Sequence, residues 1–408
     1  MKRLFFCFIT FMSALSIIAA EYTDPISKVI YTYEPAGSTA EVKHGGVYMT
    51  DSGGGWFEAG SPEAKGDVAI LSTFAVEGKD YTVDRIGDYA FAGLMELTSV
   101  TIPATVTNVG MGAFSSCLSL QSVRLAEGLR VIERMAFQGC SSLESLVLPE
   151  GLERIESRAF SSCGLKEIII PASVNAIANL VFLRCDALSS VSVAEGNPVY
   201  DSREGCNAII ETSENRLFYG CKGTRIPASV TSIGYGAFFS CQGLTEIAIP
   251  GSVTEIGESA FYSCPAIREV SLSEGLTTIR GAAFWYCGLS SLTIPASVTA
   301  IEATAFWSPS LTSLTSLIER PFEVGPICTE TGYNTVTLYV PQGTREKYMA
   351  AEGWKDFAHI VEIDKSSVND AIVETDAARS PVYDLQGRRL SGEPTKGMYI
   401  KDGRKYAK

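Results

Sequence analysis

Two histidines, His44 and His359, are the residues of this chain best suited to acid–base chemistry, and they lie near opposite ends of the sequence. A histidine triad or a histidine metal site would need the fold to bring these distant segments together. The motifs GxxxxGK[ST], GxGxxG and GxSxG are absent, and Gly53-Gly54-Gly55 without a following lysine is typical of a turn. Carboxylate pairs suit glycoside hydrolysis, but no spacing among the 46 acidic residues singles out a pair. We therefore predict no catalytic site, no cofactor and no enzyme activity.

Cysteine is the second residue type with a reactive side chain. Seven of the 11 cysteines recur at one regular spacing: Cys117, Cys140, Cys163, Cys185, Cys241, Cys264 and Cys287. Single cysteines without CxxC or a neighbouring histidine do not indicate a metal site. Stacked equivalents would lie about 5 Å apart with parallel Cβ vectors, whereas a disulfide needs Cβ atoms about 3.5–4.5 Å apart. We expect buried free thiols that pack as small apolar side chains.

Aromatic residues form the one set that indicates binding. An Ala-Phe pair recurs along the chain, and in the last four copies the next residue is also aromatic: Phe239, Tyr262, Trp285 and Trp307, with Tyr286 beside Trp285. If the recurring Phe points inward, these residues form an aromatic stripe on the outside, about 15 Å long. Such a stripe is typical of a surface that binds a sugar, a peptide or another domain. The alternative is an outer layer of the core, or rings covered by a C-terminal cap.

Short sequence repeats determine where these aromatic residues lie. The Phe of the Ala-Phe pair lies at 91, 114, 137 and 160, then at 238, 261, 284 and 306, with a variant copy at Val181-Phe182. The steps within the two groups are 23 residues, except for a final step of 22. A period this short and regular predicts a solenoid, in which each coil buries its apolar face against the next coil.

Each coil combines a strand signal with a turn signal. Alternating Val-x-Ile pieces predict a short strand with one buried face, and a proline ends that strand at 103, 149, 171, 250 and 295. The Ala-Phe-x-x-Cys piece has the spacing of a single helical turn. We therefore predict an α/β solenoid of ~23-residue coils with a parallel β-sheet, short helical turns and a cap at both ends.

Two coils are one residue short. The missing residue falls in Cys163-Gly164-Leu165 and in Cys287-Gly288-Leu289. Glycine is expected to permit the tighter turn that the deletion demands, so that the core is spared.

The repeat pattern Ile-x-x-x-Ala-Phe-x-x-Cys-x-x-Leu-x-x-Val-x-Ile-Pro-x-x-Val-x-x-Ile, over residues 83 to 320, resembles the leucine-rich repeat of BspA-like bacterial surface proteins. The interruption at 194–226 is similar to a variant coil of that family that contains an extra hairpin. Thr337–Pro341 with Tyr348, Trp354 and Phe357 resembles the C-terminal cap of Bacteroides-type members. The resemblance implies a secreted or surface-exposed protein with a role in adhesion, although one scaffold serves many binders.

The ends of the chain indicate export. Residues 1–20 have Lys2 and Arg3, an apolar run and small residues at Ala19 and Ala20, as in a secretory signal peptide cleaved after Ala20. No later stretch reaches the about 18 apolar residues of a spanning helix. A net charge of -13 disfavours nucleic acid and anionic membranes as partners. We expect a protein that is secreted or held on the outer cell surface, without membrane insertion.

The remaining segments complete the predicted domain organisation. Residues 21–82 are expected to form an N-terminal cap, 83–320 the leucine-rich repeat solenoid, 321–362 the C-terminal cap and 363–380 a linker. Residues 381–408 resemble a short form of the C-terminal sorting domains used for type IX secretion. The predicted function is adhesin-like binding of an extracellular protein or glycan. A polysaccharide-binding enzyme or enzyme accessory and a purely structural envelope protein remain alternatives, and neither the ligand nor the oligomeric state follows from the sequence.

Overall fold

The computed structural model describes residues 19–43, 46–49 and 55–364, and four strands near the C-terminus. These last strands are Val382–Tyr383, Arg389–Leu390, Met398–Lys401 and Arg404–Ala407, which form one antiparallel sheet. Most of the expected signal peptide and linker, together with His44 and Gly53-Gly54, lies outside the described residues. None of the described helices is long and apolar enough to cross a membrane.

Two rows of parallel strands run along the repeats, and equivalent residues of successive coils lie in register, as with Val109 and Ile132. Row A contains Lys79–Ile86, Asn108–Val109, Val131–Ile132, Arg154–Ile155 and Ala176–Ile177, and later Ser232–Ile233, Glu255–Ile256, Thr278–Ile279 and Ala300–Ile301. Row B contains Gly66–Ala69, Leu97–Thr101, Ser122–Arg124, Glu167–Ile170, Ser190–Val193, Glu246–Ile249, Glu269–Leu272, Ser291–Ile294, Ser313–Ser316, Thr337–Pro341 and His359–Ile363. The predicted parallel-sheet solenoid is confirmed.

Additional elements flank the coils at both ends. Strands Ala20–Thr23, Ile30–Tyr33, Thr39–Val42 and Thr73–Val76 extend row A on the N-terminal side, and Gly46–Met49 pairs with Gly55–Glu58. Near the C-terminal end of the solenoid, helices α1 (Glu330–Thr335) and α2 (Arg345–Ala350) precede the last two strands of row B. The chain between Thr329 and Val336 therefore lies directly beside the final coils.

The recurring phenylalanines form the centre of the core, and we call them the Phe row: Phe91, Phe114, Phe137, Phe160, Phe182, Phe238, Phe261, Phe284 and Phe306. Each is at most 2% exposed. Within each group, successive ring centroids lie 4.9–6.1 Å apart with nearly parallel planes. The coils are thus spaced on this side about as closely as strands are in a sheet.

The segment around each Ala-Phe pair, expected to be a helical turn, is instead a run of hydrogen-bonded turns. The amide of Ala92 donates to the carbonyl of Tyr89 in its own coil (3.1 Å), whereas the amide of Phe91 donates to Ala113 in the next coil (2.7 Å). The residue two before the repeated Phe has a positive φ in every coil, as Tyr89 does at 54°. An α-helix about 10–12 Å wide could not stack at this spacing, whereas alternating turns leave amides free to bond between coils.

The regularly spaced cysteines bond between coils in the same way. Six of their Sγ atoms donate to the carbonyl of the Phe one coil earlier, over 2.9–3.2 Å, as Cys117 does to Phe91: Cys117, Cys140, Cys163, Cys185, Cys264 and Cys287. All ten cysteines of the described residues are free thiols. Burial raises the pKa of Cys117 and Cys287 to about 12, which keeps these thiols protonated. No group of three or more possible metal ligands exists in the described part of the chain.

The shortened coils show why glycine is needed there, and the reason differs from the expected one. Neither Gly164 nor Gly288 has a positive φ. A Cβ atom would instead lie 2.2 Å from the carbonyl oxygen of Ser141 at Gly164, and 2.2 Å from that of Pro265 at Gly288. The pairing of row B is interrupted before each shortened coil, while the following Leu165 remains fully buried. The deletion therefore draws the coil against its predecessor and spares the core.

In the variant coil, side chains take over the role of backbone pairing. Strands Ala208–Glu211 and Arg216–Gly220 form an antiparallel hairpin, preceded by the strand Tyr200–Asp201 and a 3-10 turn at Arg203–Gly205. On row A, the Tyr200 hydroxyl accepts a hydrogen bond from the amide of Ile177 (3.1 Å). On row B, Asn207 Oδ1 accepts from the Val191 amide (2.7 Å) and Ser202 Oγ from the Val193 amide (2.9 Å). The solenoid thus continues through a coil that breaks both ladders.

Candidate ligand-binding surface

Four residues of the aromatic stripe form a second row of rings outside the Phe row. This outer aromatic row consists of Phe239, Tyr262, Trp285 and Trp307, and all four side chains are half-buried. The centroid distances are 4.6 Å from Phe239 to Tyr262, 5.8 Å from Tyr262 to Trp285 and 4.7 Å from Trp285 to Trp307. The rings are thus brought together as one continuous row, and each keeps part of its surface in solvent.

The stacking decides which part of each ring a ligand could touch. The planes of Phe239 and Tyr262 are 16° from parallel, and those of Tyr262 and Trp285 are 28° from parallel. The faces of Tyr262 and Trp285 therefore cover one another along the solenoid axis. Their edges, not their faces, point outward. Trp307 is tilted by 41° relative to Trp285, and no aromatic residue of a further coil follows it. The outer aromatic row therefore presents ring faces at its C-terminal end rather than along its length.

A cleft of about 490 Å³ opens at that end, between the last coils and the C-terminal cap, and we call it the cap cleft. The coils contribute Trp285, Tyr286, Trp307, Ser308, Pro309 and Leu311, and the cap contributes Thr329, Thr331, Gly332 and Thr335. These cap residues belong to no motif, although rings beside a C-terminal cap were one of the alternatives that the sequence left open. A site between two structural units is a common position for a ligand.

Hydrogen bonds hold the cap wall of this cleft in place. The Phe306 amide donates to the carbonyl of Ile327 (3.0 Å), which continues the bonding pattern of the coils into the cap. The Ile327 amide donates to the Tyr333 hydroxyl (2.8 Å). Thr329 caps α1, because its Oγ1 accepts a hydrogen bond from the amide of Gly332 (2.8 Å). The wall that carries the threonines is therefore fixed relative to the last coil.

Tyr286, the fifth residue of the stripe, is unusual in both conformation and exposure. It occupies the position two residues after the repeated Phe, has φ of 57° and is 61% exposed. The other coils with a left-handed residue at this position hold glycine, serine or arginine: Gly93, Ser116, Gly139, Ser162, Arg184, Ser240 and Ser263. A bulky side chain is disfavoured at positive φ, and an exposed ring adds nothing to the core. Packing and backbone preference therefore do not account for tyrosine here.

Several polar groups of the cap cleft have no partner within the described residues. The Trp307 indole Nε1 is buried and makes no hydrogen bond, whereas Trp354 Nε1 in the cap donates to the Phe322 carbonyl (2.9 Å). The side-chain hydroxyls of Tyr286 and Thr331 likewise make no hydrogen bond to described residues. Leaving a buried donor unpaired costs about 1–3 kcal/mol.

The cap cleft is lined by uncharged side chains, unlike a second groove on the solenoid. No charged side chain is among the described residues that line it. A second groove, on row A, is instead lined by Glu255, Arg280 and Glu302, and the two carboxylates hold the pKa of Arg280 above its ordinary value. Hydrogen bonding to Arg280 lowers the pKa of Glu302, which does not suit a general acid. His359 lies exposed on the last strand of row B, away from both sets of lining residues.

Comparisons with known proteins identify the repeat. The family model for the BspA type leucine rich repeat region matches residues 76–189 and 207–312, with six copies. The crystal structure of pneumococcal vaccine antigen PcpA is similar to this chain with 19% identity and a TM-score of 0.57, over 84% of this chain and 98% of that one. A leucine rich cell surface protein from Faecalibacterium prausnitzii A2-165 matches with 23% identity over 86% of this chain and 97% of its own, with a TM-score of 0.46. A leucine-rich repeat protein from Bacteroides ovatus ATCC 8483 has the same identity over 85% of this chain and 91% of its own, with a TM-score of 0.47. No curated protein matches the sequence.

Proposed function

This chain belongs to the BspA-type leucine-rich repeat family, and we propose that it is an adhesin-like binding protein. It is secreted or held on the outer cell surface, and it binds an extracellular protein or glycan of a host or of other bacteria. The signal-peptide pattern of residues 1–20 supports export. A repeat solenoid is a scaffold whose extended surface serves for recognition, which supports binding rather than catalysis.

The observation that carries the proposal is the outer aromatic row with the cap cleft at its end. Half-buried aromatic rings in contact with one another provide a row of apolar edges that ends at the Trp307 ring, and this row needs little ordering on binding because the stack already fixes the ring conformations. The N-terminal coils hold Ala92, Ser115, Gln138 and Ser161 at the same position, so the fold does not require aromatic residues there. Acidic residues are absent from the described lining of the cap cleft, so a carboxylate pair for glycoside hydrolysis is not available at this site.

Binding of residues 21–408 to an array of extracellular matrix proteins and glycans tests the proposal. We expect saturable binding to at least one class, and a loss of affinity of tenfold or more in the double variant Tyr262→Ser/Trp285→Gln, because these substitutions install the residue types of the N-terminal coils. Leu183→Ser is the matched control, since Leu183 is half-buried at the same coil position but lies outside the outer aromatic row. An array without any bound partner, or a double variant that binds as the parent does, would contradict the proposal.

A further inference from the structure

We propose that the cap cleft binds an uncharged carbohydrate, with one or two sugar residues of a glycan seated against Trp307 and Tyr286. This inference rests on the proposed function and names the ligand class of its site. The cavity of about 490 Å³ lies in the range of about 300–1,000 Å³ that small-ligand sites occupy. It is therefore large enough for part of a glycan chain and too small for a folded protein partner.

The conformation of Tyr286 is the first argument that this place is a site. A left-handed backbone disfavours large side chains, and the other coils that are left-handed at this position hold glycine or serine there, except for the coil with Arg184. Strained residues cluster at ligand sites, where the surrounding structure holds them in place. The hydrogen bond from the Tyr286 amide to the Trp307 carbonyl of the next coil (2.9 Å) holds the backbone, but the ring is 61% exposed at the mouth of the cap cleft, so the chain supplies little packing for this side chain. A ligand that covers the ring would supply it.

The polar groups of the cleft decide what kind of ligand fits. A hydroxyl both donates and accepts, and the lining offers the hydroxyls of Tyr286 and Thr331, which make no hydrogen bond to described residues. A sugar presents hydroxyls of the same dual character around an apolar C–H face, and that face packs on an aromatic ring. The exposed aromatic surface thus matches the apolar C–H face of a sugar residue, and the hydroxyl-lined wall matches its hydroxyl groups.

The other ligand classes match only part of the lining. A phosphate or an acidic sugar needs a positive group, and none lines the described cleft in a chain of net charge -13. A quaternary ammonium ion could stack on Trp307 and Tyr286, but it would leave the hydroxyls of Tyr286 and Thr331 without a partner. A proline-rich peptide also uses aromatic grooves, yet its carbonyl groups only accept and its extended shape calls for a longer groove. An uncharged sugar uses both the aromatic rings and these hydroxyls.

Tryptophan fluorescence provides a direct test, because Trp285 and Trp307 line the cleft. Residues 21–408 would be titrated with neutral oligosaccharides of glucose, xylose, mannose and galactose, and in parallel with polygalacturonate, choline and a proline-rich peptide. We expect a saturable emission change with at least one neutral oligosaccharide and none with the other three probes. Calorimetry with that oligosaccharide then gives the affinity.

Three variants connect the signal to the cleft. Tyr286→Ser restores the residue of the neighbouring coils, so the variant should fold at least as stably as the parent while its affinity falls tenfold or more. Thr331→Val removes a hydroxyl at nearly constant shape and should weaken binding several-fold. Tyr235→Ser is the control, since Tyr235 is 45% exposed but does not line the cap cleft, and its affinity should match that of the parent.

The outcomes separate this inference from the proposed function. Neutral sugars that leave the emission unchanged, or a sugar signal that persists in Tyr286→Ser, would overturn the carbohydrate assignment. Binding of choline or of the peptide that depends on Tyr286 would also overturn it, while leaving an adhesin-like role for the outer aromatic row in place. If the chain binds neither these probes nor any member of the array, both the carbohydrate assignment and the proposed adhesin-like function are wrong.

Discussion

Phe261→Ala is expected to lower the free energy of unfolding of the solenoid by about 3–5 kcal/mol, the usual cost of removing a fully buried phenylalanine. Phe261 is 0% exposed, and its ring centroid lies 4.9 Å from that of Phe238 and 5.2 Å from that of Phe284. The substitution opens a cavity between the rings of Phe238 and Phe284. The loss should be this large because backbone hydrogen bonds hold the coils of these two rings in place, so that the coils cannot move together to close the cavity. Guanidinium unfolding followed by circular dichroism measures the change.

Phe239→Ala is the matched control for that experiment. Phe239 belongs to the neighbouring coil and to the outer aromatic row, where it stacks on Tyr262 at 4.6 Å but is only half-buried. Its removal should cost less than half of what Phe261→Ala costs, because water can occupy the vacated position. Equal losses in the two variants would contradict the assignment of an inner and an outer row.

Gly288→Ala is expected to destabilise the chain by about 1–3 kcal/mol, although the substitution adds a single methyl group. The new Cβ atom would lie 2.2 Å from the carbonyl oxygen of Pro265 and 2.8 Å from that of Ile267, both of which are backbone atoms of the preceding coil. It would also displace the guanidinium of Arg268, which donates to the Pro265 carbonyl (2.6 Å). Relief requires the two coils to move apart, and this loosens the contacts that bury their apolar side chains.

Gly281→Ala, in the same coil, separates this steric effect from the general effect of replacing glycine. A Cβ atom at Gly281 would lie 3.4 Å from the nearest carbonyl oxygen, that of Ala303, and the φ of Gly281 is not positive. We expect its stability to stay within about 0.5 kcal/mol of the parent. Thermal unfolding of both variants measures the difference, and an equally stable Gly288→Ala chain would show that the shortened coil is not drawn against its neighbour.

The architecture was predictable because stacking imposes the same demands on every coil. The recurrence of Phe114, Phe137 and Phe160 identifies the core row, and the alternation before each proline identifies the strands of row B. These features depend on which side chains are buried, and the spacing of hydrophobic residues in the sequence indicates that directly. The free thiols were also predictable, since the geometry of stacked cysteines disfavours disulfides.

The turns around the Phe row were not predictable from residue type. Their left-handed positions hold Tyr89, Met135, Arg158 and Leu180, none of which favours a positive φ. Backbone hydrogen bonds between coils impose that conformation, and such bonds leave no pattern in side chains. The same holds at the variant coil, where Tyr200 and Asn207 replace backbone pairing through contacts that depend on the folded register.

The candidate site was visible in part. The spacing of Phe239, Tyr262 and Trp285 places them together on the outside of successive coils, and this could be inferred from the period alone. The orientation of the rings, edge outward, follows from stacking that only coordinates display. The threonines of the cap, such as Thr331, reach the end of the row through the connection between the last coil and the cap, and no repeat or motif marks them.

All of these conclusions depend on coils that stack in register with their thiols inside, and a thiol count tests that arrangement most directly. Of the ten cysteines after residue 20, nine are buried and Cys241 is half-buried. With a chromogenic disulfide reagent at pH 8 and no reductant, at most one thiol of residues 21–408 should react quickly in the native chain, and all ten after unfolding in guanidinium. Several fast-reacting thiols in the native chain, or fewer than ten in the unfolded chain, would contradict the account.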